Sequence, residues 1–428
     1  MKTDFFLQVG LEKINAEIKK HLTNQETIPI QFTYDHIDLL ELINHVSCEK
    51  IFFFKSKYQD FTFLGLGHSQ TIKAADLPDF LLKNPSHYLI AAFLFEENPE
   101  LHEFILPEWV FITQNGKTEI LINPCFDFQI YSSANSFFTL HFDLFHYDPS
   151  ITKWESYEEY PEHDQWTKMI NKCNELFDNG YLEKIVLSRK KIFAYKEDIG
   201  TIAFFKAMMK KNNNAESSYA IFHQTTSSKA FLSLSPEKLF SIQNDNFESI
   251  SLAGSAPRGE TPSEDQIFED LLKTNDKIIR EHQIVTEEII KRIKPLSKKI
   301  EISNLQTMKL SYIQHRSTPI SATLLSNVNA LHLINTLHPT PAVGGLPWDK
   351  AKAEILELEP YDREFYAAPI GIISKNYSEI AVGIRSAYIE GEKVTLFGGA
   401  GIVSGSVAEE EWSETGIKMK PFLKVVNP

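Results

Sequence analysis

The order of apolar and polar positions divides the chain into two styles. Up to about Tyr157 the apolar residues come in short, aromatic-rich runs: IFFFKSKYQDFTFLGLG (51–67), HYLIAAFLF (87–95) and ANSFFTLHF (134–142). Runs of this length, rich in residues that favour a pleated surface, predict strands. The longest apolar run, Tyr88 to Phe95, is too short to span a bilayer and fits a core strand. The opening MKTDFFLQVGLEKINAEIKKH reads as an amphipathic helix, because it lacks the long apolar stretch and small-residue cleavage site of a signal peptide.

An acidic, proline-bearing junction, SYEEYPEHD, follows, and from Glu162 the pattern turns helical. Trp166, Ile170, Cys173 and Phe177 recur at helical spacing, and Asn179-Gly180 supplies a stop. The strand KIVLSRKKIFAY comes next, then a helix around Ile202 to Lys210, then strands YAIFHQ, KAFLSLSP, KLFSIQ and ESISLAG. Thr261-Pro262-Ser263-Glu264 is a helix start, with Thr as N-cap, Pro at the first position and Glu closing a capping box. That helix is expected to run to about Ile293, with Ile267, Leu271, Ile278, Val285 and Ile289 along one side. The chain ends in a glycine-rich strand and turn, FGGAGIVSGS, and a last helix, AEEEWSETGIKMKPFL. Many short strands with interspersed helices predict an α+β fold dominated by antiparallel sheet rather than a doubly wound βαβ one.

Composition narrows the classes. The 428 residues are 43% hydrophobic and 23% charged, ordinary for a globular protein, and long enough for a substantial core. A net charge of -14 argues against a nucleic-acid binder but leaves room for a small anionic substrate, which needs only a local group of cations. Cys48, Cys125 and Cys173 lie far apart with no CxxC pair, so a reduced, cytoplasmic protein is expected, each cysteine a small core residue. No coiled-coil seam is visible; a monomer without an obligate protein partner is the expectation.

Several groups could carry chemistry. Glu411, Glu414 and Lys418 share one face of the last helix, either a solvated ion-paired face or part of a site. The preceding GGAG can approach a ligand closely and present N–H groups to an anion. Glu281, in mid-helix, offers a further carboxylate, and carboxylates with waters and an anionic substrate suit Mg²⁺. Glu237, in SPEKL, is either a turn residue or an acid. Lys184 stands directly before the apolar Ile185, Val186 and Leu187, either a solvated strand end or a group placed for reaction. Arg385, in AVGIRSA, reads as inside an apolar strand and must find an anion or a route to solvent. LAGSAPRG reads as a polar turn and LHPTPAVGGLP as a rigid connector. GAGIV lacks a full GxGxxG in a βαβ unit, which disfavours a dinucleotide site.

Taken in order, KIVLSR, SPEKL, SLAGSAPRG, REHQIV, YIQHRS, LHPTPAVGG, EPYDREFYAAPIG, VGIRSA, FGGAGIV and EWSETGIK give a pattern that resembles the chorismate-binding enzymes. These comprise isochorismate synthases, salicylate synthases, anthranilate synthase large subunits and aminodeoxychorismate synthases. The resemblance spans Glu183 to Lys418. It implies large, mainly antiparallel sheets flanked by helices, with residues 1–157 as a variable N-terminal portion and 158–428 as the catalytic portion, packed as one unit. It implies Mg²⁺ on the ring carboxylate of chorismate, held by Glu281 and Glu414, with Glu411 one layer out. Relatives often carry a further acid one turn before the first metal ligand, where this chain has Ile278. Arg385, Lys418 and the amides of Gly399 and Gly401 would meet the substrate carboxylates, and Ser255, His315, Thr340 and Tyr366 would line or border the same pocket.

The reaction branch follows from the residue before IVLSR. Amine-adding relatives place glutamine there; isochorismate and salicylate synthases place lysine, as Lys184 does here. The resemblance implies Lys184 as the base that activates water for attack at C2, and Glu237 as the acid that protonates the departing C4 hydroxyl. Burial would lower the lysine pKa and raise the glutamate pKa, which serves both tasks. An isochorismate synthase feeding menaquinone or catecholate siderophores is the expectation. The alternatives are a salicylate synthase, which goes on to eliminate pyruvate, and a chorismate-binding protein without turnover.

Overall fold

A computed structural model describes residues 30–46, 48–123, 153–215 and 217–426. The expected N-terminal helix, the ANSFFTLHF strand and Cys125 lie outside them.

Two antiparallel sheets, of 12 and 10 strands, form the body. The larger runs in the order Ile30–Asp35, Lys117–Ile122, Trp109–Gln114, Phe61–Leu66, Ile51–Lys55, Tyr219–Thr226, Lys229–Ser235, Ser386–Glu390, Lys393–Ile402, Lys184–Ala194 and Gly345–Leu346. Ser156–Tyr160 also pairs with Lys184–Ala194. The smaller sheet is centred on Asn246–Pro257, Lys238–Gln243, Tyr377–Val382 and Pro369–Ile373. The N-terminal strands continue both sheets: Ile51–Lys55 pairs with Tyr219–Thr226, and Leu89–Ala92 with Pro369–Ile373.

The run IFFF has no polar alternation because both faces of its strand are covered. Phe52 and Phe54 enter the core between the sheets, while Ile51 and Phe53 enter a second core on the outer face, where Phe53 packs edge-on against Phe205 of the helix Thr201–Lys211. The helix His163–Asp178 buries the predicted stripe, Trp166, Ile170, Cys173 and Phe177, against Ile185 and Leu187.

Three expectations are corrected. The helix that Thr261 caps ends at Thr274, and a second runs from Asp276 to Ile293. Asn275 takes an extended backbone and caps the second helix by accepting from the Ile278 amide. The break resets the helical phase, so Ile267 and Leu271 are exposed while Leu272, Val285 and Ile289 are buried. Second, Leu252 to Pro257 of LAGSAPRG belongs to a long strand and not to a turn. Third, Arg385 is not inside a strand: it lies between Tyr377–Val382 and Ser386–Glu390 with φ at 49°. That stretch carries the chain from the smaller sheet to the larger.

A second crossing runs the other way, from Lys229–Ser235 to Lys238–Gln243, through Pro236 and Glu237. The crossings grip each other: the Val382 amide donates to the Glu237 carbonyl (3.1 Å) and the Leu234 amide to the Arg385 carbonyl (3.0 Å). Two polar residues are thereby set where the sheets meet.

Candidate active site

A cleft of about 650 Å³, counted out to its open mouth and including open solvent, lies at these crossings. Its wall includes Glu237, Ser255, Glu281, His315, Tyr366, Arg385, Gly399, Gly401 and Lys418. Lys184 reaches the same place from the first position of its strand. Its side chain is 0% exposed, which removes the solvated-strand-end reading, and its Nζ lies 3.0 Å from Glu281 Oε1.

Small residues make this approach possible. A Cβ on Gly401 would stand 2.2 Å from Glu281 Oε1 and 3.0 Å from Lys184 Cε. Gly254, at φ +76°, forms a bulge opposite Arg316 and His315, and a Cβ there would stand 2.7 Å from the Ile278 carbonyl oxygen. The helix that carries Glu281 therefore sits directly on the strand that carries Ser255. Ile278 spends its side chain on this contact.

At one end of the cleft Glu281 lines the wall, and Glu414 and Glu411 stand behind it, each of the three with its own lysine. Glu281 faces Lys184; Glu414 faces Lys418, one turn on, at 2.6 Å; Glu411 faces Lys277 at 2.5 Å. Burial, then the neighbouring Glu414, push Glu411 up to about 7 against the pull of Lys277. Burial also acts to raise Glu414, but Lys418, Lys277 and a hydrogen bond from Ser255 outweigh it and hold the carboxyl below its ordinary value. Among the described residues no three His, Cys, Asp or Glu side chains converge as a ready-made cage. The donors are oxygens only, and each stands beside a lysine amino group. This suits a hard cation that takes one or two carboxylates and completes its shell with water and substrate oxygens.

A relay runs along the wall from Arg385 to this end. Arg385 Nη2 donates to His315 Nε2 (2.7 Å), which fixes the tautomer, so His315 Nδ1–H donates to Ser255 Oγ (3.0 Å), and Ser255 donates to Glu414. Burial, Arg385, Lys418 and Lys57 hold the His315 pKa well below its usual value, consistent with a neutral ring. Lys418 Nζ also donates to the Gly399 carbonyl (2.9 Å). Tyr366 stacks on Phe397, and its hydroxyl lies against Gly399, where a Cβ would stand 2.5 Å away.

Glu237 is 5% exposed, and burial lifts its carboxyl from 4.5 to about 7 although Lys184, Lys418 and Arg385 pull the other way. It is thus a proton-bearing carboxyl near neutrality. Of the predicted residues, Lys184, Glu411 and Glu414 stand just behind the cleft wall, and Thr340 lies outside it: its hydroxyl accepts from the Ala342 amide and its carbonyl from Val343 and Gly344. It shapes the turn that presents Ala342 and Val343.

Sequence reasoning passed over the clamps that hold these parts. Glu359 and Arg363, four residues apart just beyond the helix Trp348–Leu358, form a buried pair at 2.5 Å. Glu359 accepts from the Ser188 amide (2.7 Å), and Arg363 donates to the Val186 and Val343 carbonyls (2.7 and 2.9 Å). Arg189 donates to Thr415 Oγ1 (2.6 Å) and lies 3.6 Å over the Trp412 ring, tying the Lys184 strand to the last helix. The motifs EPYDREFY and EWSETG contain these residues, so much of their content is architectural.

The family model for "chorismate binding enzyme" matches residues 90–427. The chain belongs to the chorismate-binding enzyme family. It is 27% identical over 418 residues to an isochorismate synthase of Haemophilus influenzae, an alignment that covers 96% of this chain and 94% of that one. It is 34% identical to an isochorismate synthase of Bacillus subtilis over 61% of this chain and 55% of the relative. The solved structure of the menaquinone-specific isochorismate synthase from Escherichia coli superimposes with a TM-score of 0.86 at 25% identity, over 98% of this chain and 100% of that one. Among the described residues no helix is long and apolar enough to cross a membrane.

Proposed function

We infer that the protein is an isochorismate synthase, which isomerises chorismate by water addition at C2 and loss of the C4 hydroxyl. The observation that carries this reading is the pairing, in one cleft, of a fully buried lysine with a carboxyl that burial holds near neutrality. It occurs in a chain similar from end to end to isochorismate synthases.

Lys184, as the free amine, takes a proton from the attacking water as the new C2–O bond forms. The ring double bonds shift, and the C4–O bond breaks as Glu237 delivers its proton, so one water enters and one leaves. Afterwards Lys184 carries a proton and Glu237 is ionised; a proton returned through solvent restores both. Arg385 and Lys418 attract the substrate carboxylates, Gly399 and Gly401 leave room for them, and the Arg385–His315–Ser255 relay keeps that wall rigid. Glu281 and Glu414, with Glu411 behind, would hold Mg²⁺, which supplies positive charge for the ring carboxylate. An enzyme in the cytoplasm is consistent with this substrate.

Incubation with chorismate and Mg²⁺, followed by separation of products, tests the reading. Isochorismate is the expected product. Salicylate with pyruvate would assign the salicylate synthase branch, and chorismate bound but unconsumed would assign a binding protein.

A further inference from the structure

The N-terminal portion carries none of the motifs quoted from the sequence, yet it sends one cation to the back of the cleft wall. Lys57 follows the strand Ile51–Lys55 and is half-buried. Its Nζ donates to the carbonyl of Pro236 (3.1 Å), a residue of the cleft wall next to Glu237, and touches Met308 Sδ (2.9 Å). Among the described residues it forms no ion pair with a carboxylate. Arg385, among the described residues, forms no ion pair within contact distance either: Glu414 and Glu237 act on it from farther off, its Nη2 is on neutral His315, and its Nε has no partner. The neighbouring cations are answered, Lys238 by Glu248 (2.9 Å) and Lys418 by Glu414 (2.6 Å). Burial, then Arg385 and Lys238, draw the Lys57 pKa down to about 7, and Lys57 in turn acts on His315. Its charge is felt at the cleft wall and has no carboxylate counterion among the described residues.

The cleft therefore has two electrical ends. The Glu281–Glu411–Glu414 end is rich in carboxylates, each matched by a lysine; the Arg385–Lys57 end holds cations in excess. Chorismate is a dianion with one carboxylate on the ring and another on the enolpyruvyl arm, and its two charges fit such a polarity. We propose that Lys57 is a substrate-recognition residue supplied by the N-terminal portion, whose ammonium acts with Arg385 to attract the carboxylate pointing away from the Glu281–Glu414 end. The proposal rests on chorismate being the substrate.

The test uses the full chain with Lys57→Met, which keeps the apolar stem, and Lys57→Arg, which keeps the charge. Chorismate affinity is read by calorimetry in a Lys184→Ala background to prevent turnover, and KM and kcat in the parent background. Lys57→Met should weaken chorismate binding and raise KM by ~5- to 20-fold, with kcat within about twofold, as expected for one partly buried charge. The affinity of the parent should fall more steeply with added NaCl than that of Lys57→Met, and Lys57→Arg should restore most of the loss. An unchanged dissociation constant in a folded Lys57→Met overturns the proposal. So does a fall in kcat at constant KM, which would reduce Lys57 to a brace for the Pro236–Glu237 crossing. Should Lys57→Met not fold, a parent affinity insensitive to salt, or a Lys57→Gln variant with parental KM, overturns it equally. A parent that binds chorismate but forms no isochorismate would instead sink the functional reading and leave the binding comparison intact.

Discussion

Glu237→Gln keeps the shape of the side chain but removes the charge that its surroundings oppose. The carboxyl has its ordinary value of 4.5 in the unfolded chain and about 7 in the folded one. A raised carboxyl pKa means that the folded state holds the proton more tightly. The associated stability is complete below the ordinary value and is lost as pH climbs through about 7. A shift of roughly two to three units at ~1.4 kcal/mol each gives about 3 kcal/mol of lost stability by about pH 8, and about 1 kcal/mol near pH 5.5. Glutamine, neutral at every pH, escapes this loss. The variant should therefore melt above the parent at about pH 8 by a few degrees, given an unfolding entropy of ~0.9 kcal/mol/K for a chain of this size. Near pH 5.5 the difference should shrink to about 1 °C. Turnover should fall by ~10²- to 10⁴-fold at both, because an amide cannot supply the proton. Thermal unfolding at the two pH values, beside product formation, checks both halves. A variant that melts at or below the parent at the higher pH would refute the view that Glu237 carries an unwelcome charge there.

Other substitutions separate the remaining roles. Lys184→Ala should lower turnover by at least ~10³-fold, within reach of lost general-base catalysis, while chorismate binding by calorimetry stays close to that of the parent; near-parental turnover would remove Lys184 from the chemistry. Gly401→Ala should push the Glu281 carboxylate off its place, since the new Cβ would stand 2.2 Å from Oε1, and the half-saturating Mg²⁺ concentration should rise severalfold in a titration of activity. Glu414→Gln should shift the same titration; an unchanged curve would take Glu414 out of the cation site. Arg363→Met leaves Glu359 buried and unpaired, so denaturant unfolding should report a loss of ~3–5 kcal/mol.

The strand-rich plan and the residues of the cleft were legible because each left a local or ordered trace. Aromatic runs marked strands, Thr261 to Glu264 marked a helix start, and the order of motifs marked the family. What stayed hidden depends on contacts far apart in sequence. The break at Asn275 follows from a side chain that prefers to cap a new helix over continuing the old one. Arg385 looked like a strand residue because its flanks are apolar, and nothing local announces that the chain changes sheets there. Lys57 lies unremarked within the run 51–67; its meaning comes from Pro236, Met308 and Arg385, and no short-range pattern connects them. Glu359 and Arg363 sat inside a recognised motif, but their task, to fasten the Lys184 strand, depends on partners more than 150 positions away.

The shared sheets bear on how the protein is made. During synthesis the strand Ile51–Lys55 emerges long before Tyr219–Thr226, and Leu89–Ala92 waits for Pro369–Ile373, more than half the chain later. Neither sheet can close until nearly all of the polypeptide has left the ribosome. Until then, aromatic strands that end with both faces covered stand with open edges and exposed apolar surface. Folding dominated by such distant pairings is slow, and the nascent chain is a natural client for chaperones. A fragment cut at the junction near Tyr157 would keep the motifs and lose the strands against which they are built.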